Sequence, residues 1–366
     1  MQKKENLKCN GEYMIKVLQI IDGYNFSGII KLLLEVEKNI DKNIKFDYLT
    51  ALNICNEFNS LNIDRRSLKG RIIYNHRLRK YLKENKYDIV HINSGAFFFT
   101  LSCALICKLS GIKNIIVHSH NVPKISKIKK LFIRILNPIY RKITKVHLTC
   151  SNLASKSLYT KLDDVIIIKN GIDIDRYKYN ESIRNKYRKK LNIEDKKVYG
   201  HIGRFSKQKN HNFLIDLFYE IQKKEKNSIL ILIGDGTLKK EIEDKVNSLN
   251  ISDKVLFLGF RDDIDKLLNT FDIFIFPSLY EGLPITLIEA QTNGVPIVVS
   301  NNITSEANIS NNYYTVDNYD INSWINTISN IKINNRKDSY KNTIKNGYDI
   351  KKISKQLEKI YKDLVK

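Results

Sequence analysis

From Ile15 onward, short apolar runs alternate with longer stretches in which apolar residues recur every three or four positions. The runs Ile15 to Ile21, Phe46 to Leu49, Asp88 to Ile92, Ile115 to His118, Val146 to Cys150 and Val165 to Ile168 read as buried strands. Helix-length segments separate them. Strands alternating with helices build a parallel sheet, because parallel neighbours need a long crossover connection. The pattern pauses at the turn signal Asn170-Gly171-Ile172-Asp173, and Arg176 to Asn180 has no strand character. A second series follows at Val198 to Ile202, Ile229 to Ile233, Val255 to Leu258, Ile273 to Phe276 and Pro296 to Val299. Two doubly wound α/β domains are predicted, at 14–175 and 176–349, and the length of 366 residues suits two domains. The leader 1–13 has neither apolar period nor caps and reads as a frayed extension. In 350–366, Ile350, Ile353, Leu357, Ile360, Tyr361 and Leu364 share one helical face, which predicts a docked terminal helix. Such sheets bind ligands beyond the carboxyl ends of their strands, so two facing halves are expected to place a substrate cleft between them.

Composition narrows the class. An apolar fraction of 42% and a charged fraction of 28% are those of a globular protein. A formal charge of +23 invites a polyanion partner, but lysine, asparagine and isoleucine crowd the whole chain, so background composition supplies much of the excess. No helix-turn-helix, zinc finger or aromatic RNA-binding motif accompanies the charge, and no nucleic-acid partner is expected. The cysteines, Cys9, Cys55, Cys103, Cys107 and Cys150, are odd in number and lack C-x-x-C spacing, as expected of reduced cytosolic thiols. The longest apolar stretch, Gly95 to Cys107, is shorter than the roughly 20 residues that span a bilayer.

One segment departs from the even spread of charge. Ile89 to Leu162 contains no Asp or Glu but carries cations throughout, from Lys108 to Lys161. At its centre, Ile125 to Ile143, Lys127, Lys129, Lys130 and Arg134 interleave with Ile128, Leu131, Phe132, Ile135, Leu136 and Ile139 at helical spacing. That pattern predicts a helix whose apolar face either lies on an anionic bilayer or meets the first-domain sheet, kinked or broken at Pro138.

Candidate chemistry gathers in the second half. The strand Ile273 to Phe276 runs into Pro277-Ser278-Leu279-Tyr280-Glu281-Gly282-Leu283-Pro284, after which a helix carries Glu289. Pro284 suits a first helical position, and the free amides of the next turn can face an anion. One carboxylate in the loop and one on the helix could each accept hydrogen bonds from sugar hydroxyls. Strand Val198 to Ile202 ends in Gly203-Arg204-Phe205-Ser206-Lys207-Gln208-Lys209-Asn210, whose Arg204 and Lys209 can neutralise a diphosphate as fork and point charge. Asp173-Ile174-Asp175 and Asp263-Ile264-Asp265 could be read as metal pairs, but the first lies in the domain-joining turn and the second at a helix start, where Asp capping is common. No metal and no other cofactor is expected.

Together these segments resemble the retaining glycosyltransferases of family four with the two-Rossmann GT-B fold, and especially the capsular and exopolysaccharide subgroup. The resemblance rests on Glu281 and Glu289 in E-x7-E spacing, Gly203-Arg204 with Lys209, Gly234-Asp235-Gly236, Glu289-Ala290-Gln291 with Gly294-Val295-Pro296, Thr304-Ser305-Glu306, and His118-Ser119-His120-Asn121. It implies that Arg204 and Lys209 hold the donor diphosphate and Glu289 the ribose. Glu281, with the amides of Gly282 and Leu283, would hold the donor sugar, and His120 would reach that sugar from the first domain. The implied donor is a nucleotide diphosphate sugar, UDP-linked, and the implied acceptor a carbohydrate or lipid-linked oligosaccharide. The expected location is a bacterial cytoplasm, and the basic apolar pattern of Ile125 to Ile143 adds the expectation of peripheral contact at the inner face of the cytoplasmic membrane. The first loop, Asp22-Gly23-Tyr24-Asn25-Phe26-Ser27-Gly28, departs from the family's glycine pair: only Gly28 stands where the second glycine of a phosphate or acceptor loop is expected. The competing readings are an epimerase or phosphorylase on the same fold, and a non-enzymatic polyanion-binding protein.

Overall fold

The computed structural model describes residues 8–9, 12–22, 28–53, 58–120, 126–332 and 335–366. It divides into two compact units, Met1–Gly171 with Asp349–Lys366, and Ile172–Tyr348.

The first unit is built on a seven-stranded parallel sheet. Its spatial order is Asn59–Ser60, Ile44–Thr50, Ile15–Ile21, Ile89–Asn93, Asn114–Ser119, Val146–Thr149, Val165–Ile167. Ile15 lies opposite Ile44 on one side of its strand, and Val17 lies opposite Ile89 on the other. Ile89–Asn93 is buried at every position, as a strand covered on both faces must be. Within the leader, Lys8–Cys9 pairs antiparallel with Glu12–Tyr13.

The terminal helix Ile350–Val365 packs on the helix Gly28–Asn39, burying Ile350, Ile353, Leu357 and Tyr361. Its Tyr361 hydroxyl lies 2.7 Å from Nδ1 of His91 and accepts from Nε2 of Gln19 at 3.2 Å, so the last residues of the chain complete the polar interior of the first sheet.

The basic segment forms one helix, Lys127–Ile143, capped by the Ser126 side chain. It is not broken at Pro138, which sits on the exposed side, where water can serve the carbonyl that the missing N–H leaves. The helix meets the unit through Ile133, Asn137 and Tyr140, whereas Ile128, Leu131, Phe132, Ile135 and Ile139 face solvent. The apolar positions that the pattern offered to a bilayer or to the sheet therefore do not pack on the sheet; of them, Leu136 alone is partly covered by the core.

The second unit holds a six-stranded parallel sheet in the order Val255–Phe257, Ser228–Ile233, Lys197–Ile202, Ile273–Phe276, Ile297–Ser300, Tyr313–Val316. Its interior is dense. A Cβ on Gly200 would stand 2.3 Å from the Phe271 ring, so the strand can pass that ring only as glycine. In both units the sheet reverses direction of growth between its first strand and the strand paired on its other side, Ile89–Asn93 in one and Ile273–Phe276 in the other. At such a point the loops leaving two neighbouring strands diverge, and a ligand can settle between them.

Candidate active site

In the second unit the switch point falls between Lys197–Ile202 and Ile273–Phe276, the two strands whose following loops carry the candidate chemistry. The loop after Ile202 is locked against the neighbouring strand end: Gly203 N–H donates to the Ile233 carbonyl at 2.9 Å, and Phe205 N–H to that of Asp235 at 3.0 Å. This contact requires a glycine at 234. Its φ is +139°, and a Cβ there would lie 2.2 Å from the Gly203 carbonyl oxygen. Phe205 is buried, while Arg204 beside it projects to the surface.

The two site loops are joined to each other. Leu279 N–H donates to the Gln208 carbonyl at 2.8 Å, and the Gln208 amide donates to the Tyr280 carbonyl at 2.9 Å. Behind that bridge, Lys209 Nζ lies 2.7 Å from Glu281 Oε1, with the two side chains only 15% and 10% exposed. The Phe276 ring supports the ammonium from 4.3 Å, a cation–π contact. Lys209 and Glu281 are thus a nearly enclosed ion pair at the sheet's switch point.

Pro284 stands at the N-cap of the helix Ile285–Asn293 without a side-chain cap. The first amides of that helix follow Gly282 and Leu283 directly and are oriented to receive an anion. Gly294 ends the helix in the left-handed conformation at φ +79°. Glu289, on this helix, is 7% exposed, and the Tyr177 hydroxyl donates to its Oε1 at 2.7 Å. Burial, together with the Glu289 carboxylate, pushes the Tyr177 phenol far above its ordinary value, so it remains a donor. Tyr177 ends the short helix Ile174–Tyr177 and gave no signal of its own in the sequence. Nor did the support of Lys209 by Phe276.

His120 follows Asn114–Ser119 in the first unit and is 6% exposed. Its Nδ1 lies 2.9 Å from the Asn170 side chain and its Nε2 3.1 Å from that of Asn93. Burial lowers its pKa to about 4, so the ring is neutral near pH 7. Asn93 donates its amide N–H to Gln19 at 2.9 Å and so turns its oxygen to the ring. His118 and His91 stack in line behind it. Gly28 opens the helix Gly28–Asn39 on the surface, and a Cβ there would meet nothing within 4 Å. The rest of its loop, Gly23 to Ser27, lies outside the described residues, as does Asn121.

The second unit therefore carries Arg204, Lys209, Glu281, Gly282, Leu283 and Glu289, with Lys209 and Glu281 in direct contact, and the first carries His120 and Gly28. The acidic pairs set aside as metal ligands are engaged with their own surroundings. Asp173 accepts from Arg176 N–H at 3.3 Å, Asp265 pairs with the Arg176 guanidinium at 2.9 Å, and Asp263 pairs with Arg261 at 2.6 Å.

Both units resemble known proteins. Residues 183–350 match the family model described as Glycosyl transferases group 1, and residues 52–176 match Glycosyltransferase Family 4. The chain is 31% identical over 315 residues to the putative glycosyltransferase EpsF of Bacillus subtilis, covering 80% of each. It is 27% identical over 305 residues to the UDP-Gal:alpha-D-GlcNAc-diphosphoundecaprenol alpha-1,3-galactosyltransferase of Escherichia coli, covering 79% of this chain and 78% of that one. Among solved structures it is similar to Anabaena Alr3699/HepE in complex with UDP, at TM-score 0.75 and 18% identity over 95% of this chain and 100% of that one. The likeness to that structure and to WaaG, a glycosyltransferase involved in lipopolysaccharide biosynthesis, at TM-score 0.64 and 16% identity over 94% of this chain and 95% of that one, gives the two parallel-sheet units as the GT-B fold. The chain belongs to the glycosyltransferases and is a transferase enzyme.

Proposed function

We propose that this enzyme is a retaining glycosyltransferase of capsular or exopolysaccharide biosynthesis. It takes a sugar from a nucleoside diphosphate, UDP in the first instance, and adds it to a lipid-linked or oligosaccharide acceptor in a bacterial cytoplasm. The observation that carries the reading is the enclosed Lys209–Glu281 pair at the switch point, beside Arg204 and an uncapped helix N-terminus. A diphosphate needs cations and free amides, and a sugar needs a fixed carboxylate; this site offers both within two bridged loops. The relative that acts on a diphosphoundecaprenol acceptor with UDP-Gal, and the UDP complex of the structural neighbour, support the choice of nucleotide and acceptor class.

In this reading the bond between the anomeric carbon and the diphosphate oxygen breaks with its electron pair passing to the diphosphate. Arg204, Lys209 and the amides that follow Pro284 neutralise the charge that builds there. The acceptor hydroxyl oxygen bonds to the same face of the anomeric carbon, and its proton passes to the departing phosphate oxygen. Glu281 orients the sugar through its hydroxyls, and Glu289, fixed by Tyr177, receives the ribose hydroxyls. The leaving group has its positive partners in the protein, and turnover is expected to survive a chelator. His120 has both ring nitrogens engaged by Asn93 and Asn170, so reaching a sugar hydroxyl requires it to exchange one of those contacts.

Calorimetric titration of the parent and Arg204→Ala with UDP, GDP and ADP tests the assignment. Binding of one diphosphate by the parent, lost or strongly weakened in the variant, supports it. Equal affinity in the two proteins, or no diphosphate bound at all, removes the donor site from these loops.

A further inference from the structure

The face of the first sheet that the terminal helix covers is apolar at Val17, Ile21, Ile89 and Ile116, yet a file of polar side chains crosses it. Gln19, His91, Asn93 and His120 occupy alternate positions along their strands or just beyond them, so they share that face, and the register sets Gln19 opposite His91. All four are buried. Polar groups in an apolar setting lower stability unless they are hydrogen-bonded, and a connected chain of them orients its own members.

The chain begins on the terminal helix. The Tyr361 hydroxyl, kept protonated by burial, has one proton to give; it lies 2.7 Å from His91 Nδ1 and 3.2 Å from Gln19 Nε2. With that proton directed at the nearer His91, the phenol oxygen accepts from Gln19. The Gln19 oxygen then accepts from the Asn93 amide at 2.9 Å, and the Asn93 oxygen is left facing His120 Nε2 at 3.1 Å. Every bond therefore runs in one direction, and Tyr361 sets it. A reversed chain would turn the Asn93 N–H to the ring instead.

The same helix also supports the other side of His120. A Cβ at Gly171 would stand 2.5 Å from Ile353 Cδ1 and 3.1 Å from the Ile350 Cα, so the turn that bears Asn170 lies directly on the start of the helix. The two contacts of the ring differ in exposure: the one from Nε2 to Asn93 is buried, whereas the one from Nδ1 to Asn170 is only partly so.

We propose that the terminal helix positions His120 through Tyr361: the imidazole proton is held on Nε2 against Asn93, and Nδ1 is left as the acceptor that a sugar hydroxyl meets in place of Asn170. The inference rests on the reading that His120 reaches the donor sugar. A neutral ring carries one proton, so commitment of Nε2 to the Asn93 oxygen leaves Nδ1 bare. In the resting state the Asn170 amide serves it by turning its nitrogen to the ring, an exchange of two atoms of nearly equal size. Tyr361, Gln19 and Asn93 are positioning residues in this scheme, and Asn170 is the contact that the substrate replaces.

Labelling the histidines with a nitrogen isotope and recording long-range proton–nitrogen correlations of the full chain reads the tautomer directly, and His120→Ala identifies the signal among the seven histidines. Two variants break the chain. Tyr361→Phe keeps the ring and its edge contact with Phe46 at 5.9 Å, and Gln19→Leu interrupts the chain one link nearer His120. Leu357→Ala, buried on the same helix but outside the chain, controls for simple loosening. In the parent, one protonated and one bare nitrogen are expected, with the proton on Nε2. In both chain variants the two signals should draw together as the tautomers exchange, and kcat should fall about twofold or more, as when only a fraction of the enzyme carries the competent ring. Leu357→Ala should lower the urea midpoint and keep the parent's spectrum. One folded chain variant suffices for the comparison. A parent proton on Nδ1, a parent-like spectrum in the chain variants, or the same spectral change in Leu357→Ala overturns the proposal. UDP titration and the turnover of His120→Ala are read on the same preparations. Absence of UDP binding by the parent would strike the donor reading, and full turnover by His120→Ala the sugar contact, whereas the spectra alone decide whether Tyr361 holds the ring.

Discussion

Replacing Glu281 by Gln should tighten the binding of free UDP while slowing turnover of the nucleotide sugar. Lys209 Nζ is held 2.7 Å from Glu281 Oε1, and both side chains are nearly enclosed. An ammonium has three N–H donors and can serve a carboxylate and a phosphate together, but the two anions then lie close to one another. Taking their separation as about 6 Å and an effective dielectric between about 20 and 80, each pair of unit charges repels by about 0.7 to 3 kcal/mol. Tyr280 beside the pair is 52% exposed, so solvent lies close by, which favours the lower end, about 1 kcal/mol, or roughly a fivefold gain in UDP affinity when the carboxylate is neutralised. Glutamine keeps the shape and an acceptor oxygen for Lys209 but leaves a nearly enclosed ammonium without its counter-charge, so stability without UDP should fall by roughly 1.5 to 3 kcal/mol. The sugar, in contrast, loses the carboxylate that orients it, and kcat should fall by about tenfold or more. Calorimetric titration with UDP and steady-state kinetics with the accepted donor read the two effects separately. Unchanged or weaker UDP binding by Glu281→Gln would refute the reasoning, because it would place the diphosphate away from Lys209.

Arg204→Ala and Lys209→Ala should each weaken UDP binding by about tenfold or more, as expected when a charge-assisted contact worth roughly 1.5 to 3 kcal/mol is lost; Arg204→Ala should do so without moving the denaturation midpoint, since that side chain is exposed. Glu289→Gln should raise KM for the donor more than it lowers kcat, and Tyr177→Phe should follow it in the same direction with a smaller effect, because Tyr177 positions Glu289 from 2.7 Å; a kcat effect without a KM effect in both variants would contradict the ribose assignment. Gly234→Ala should destabilise the second unit by several kcal/mol, since the new Cβ would meet the Gly203 carbonyl oxygen at 2.2 Å; a urea midpoint equal to the parent's would show that the loop is less constrained than its geometry indicates. The buried histidines give a pH signature: His91 and His120 are held neutral by burial, with pKa values lowered to about 3 and about 4. The unfolded chain takes up their protons below about pH 6.5 and the folded unit does not, so stability is full above that value and falls by about 1.4 kcal/mol per pH unit for each of them down to about pH 4. Urea midpoints that stay level between about pH 7 and 5 would contradict this.

Much of the fold is legible along the chain because parallel strands buried on both faces read as continuous apolar runs. Ile229 to Ile233 and Ile273 to Phe276 are such runs, and the strands form where the runs stand. Tyr313–Val316 does not announce itself: it lies at the sheet edge, and its Tyr, Tyr and Thr positions are only partly buried or exposed, so no apolar run marks it. Asn59–Ser60 is too short to leave a pattern. The terminal helix is visible from its stripe, but its partner is not, because the Tyr361–His91 contact joins residues 270 positions apart. The same limit applies to the site. Gly203-Arg204 and the loop through Glu281 sit at strand ends that periodicity locates, whereas the Tyr177–Glu289 bond spans 112 positions. The support of Lys209 by Phe276 likewise depends on the register of two neighbouring strands, which only the folded sheet supplies. For Lys127–Ile143, the pattern alone left two destinations for the apolar face, and the buried Asn137 and Tyr140 decide which face the unit uses.

Proton NMR of the product's anomeric centre, recorded as the enzyme consumes an α-linked UDP-sugar in the presence of its acceptor and a chelator, tests the proposed transfer most directly. A new α-linked glycoside with release of UDP is the expected result, with formation slowed by Glu281→Gln and by Arg204→Ala. A β-linked product, or a reaction that ceases when metal is chelated and resumes when it is restored, would contradict it.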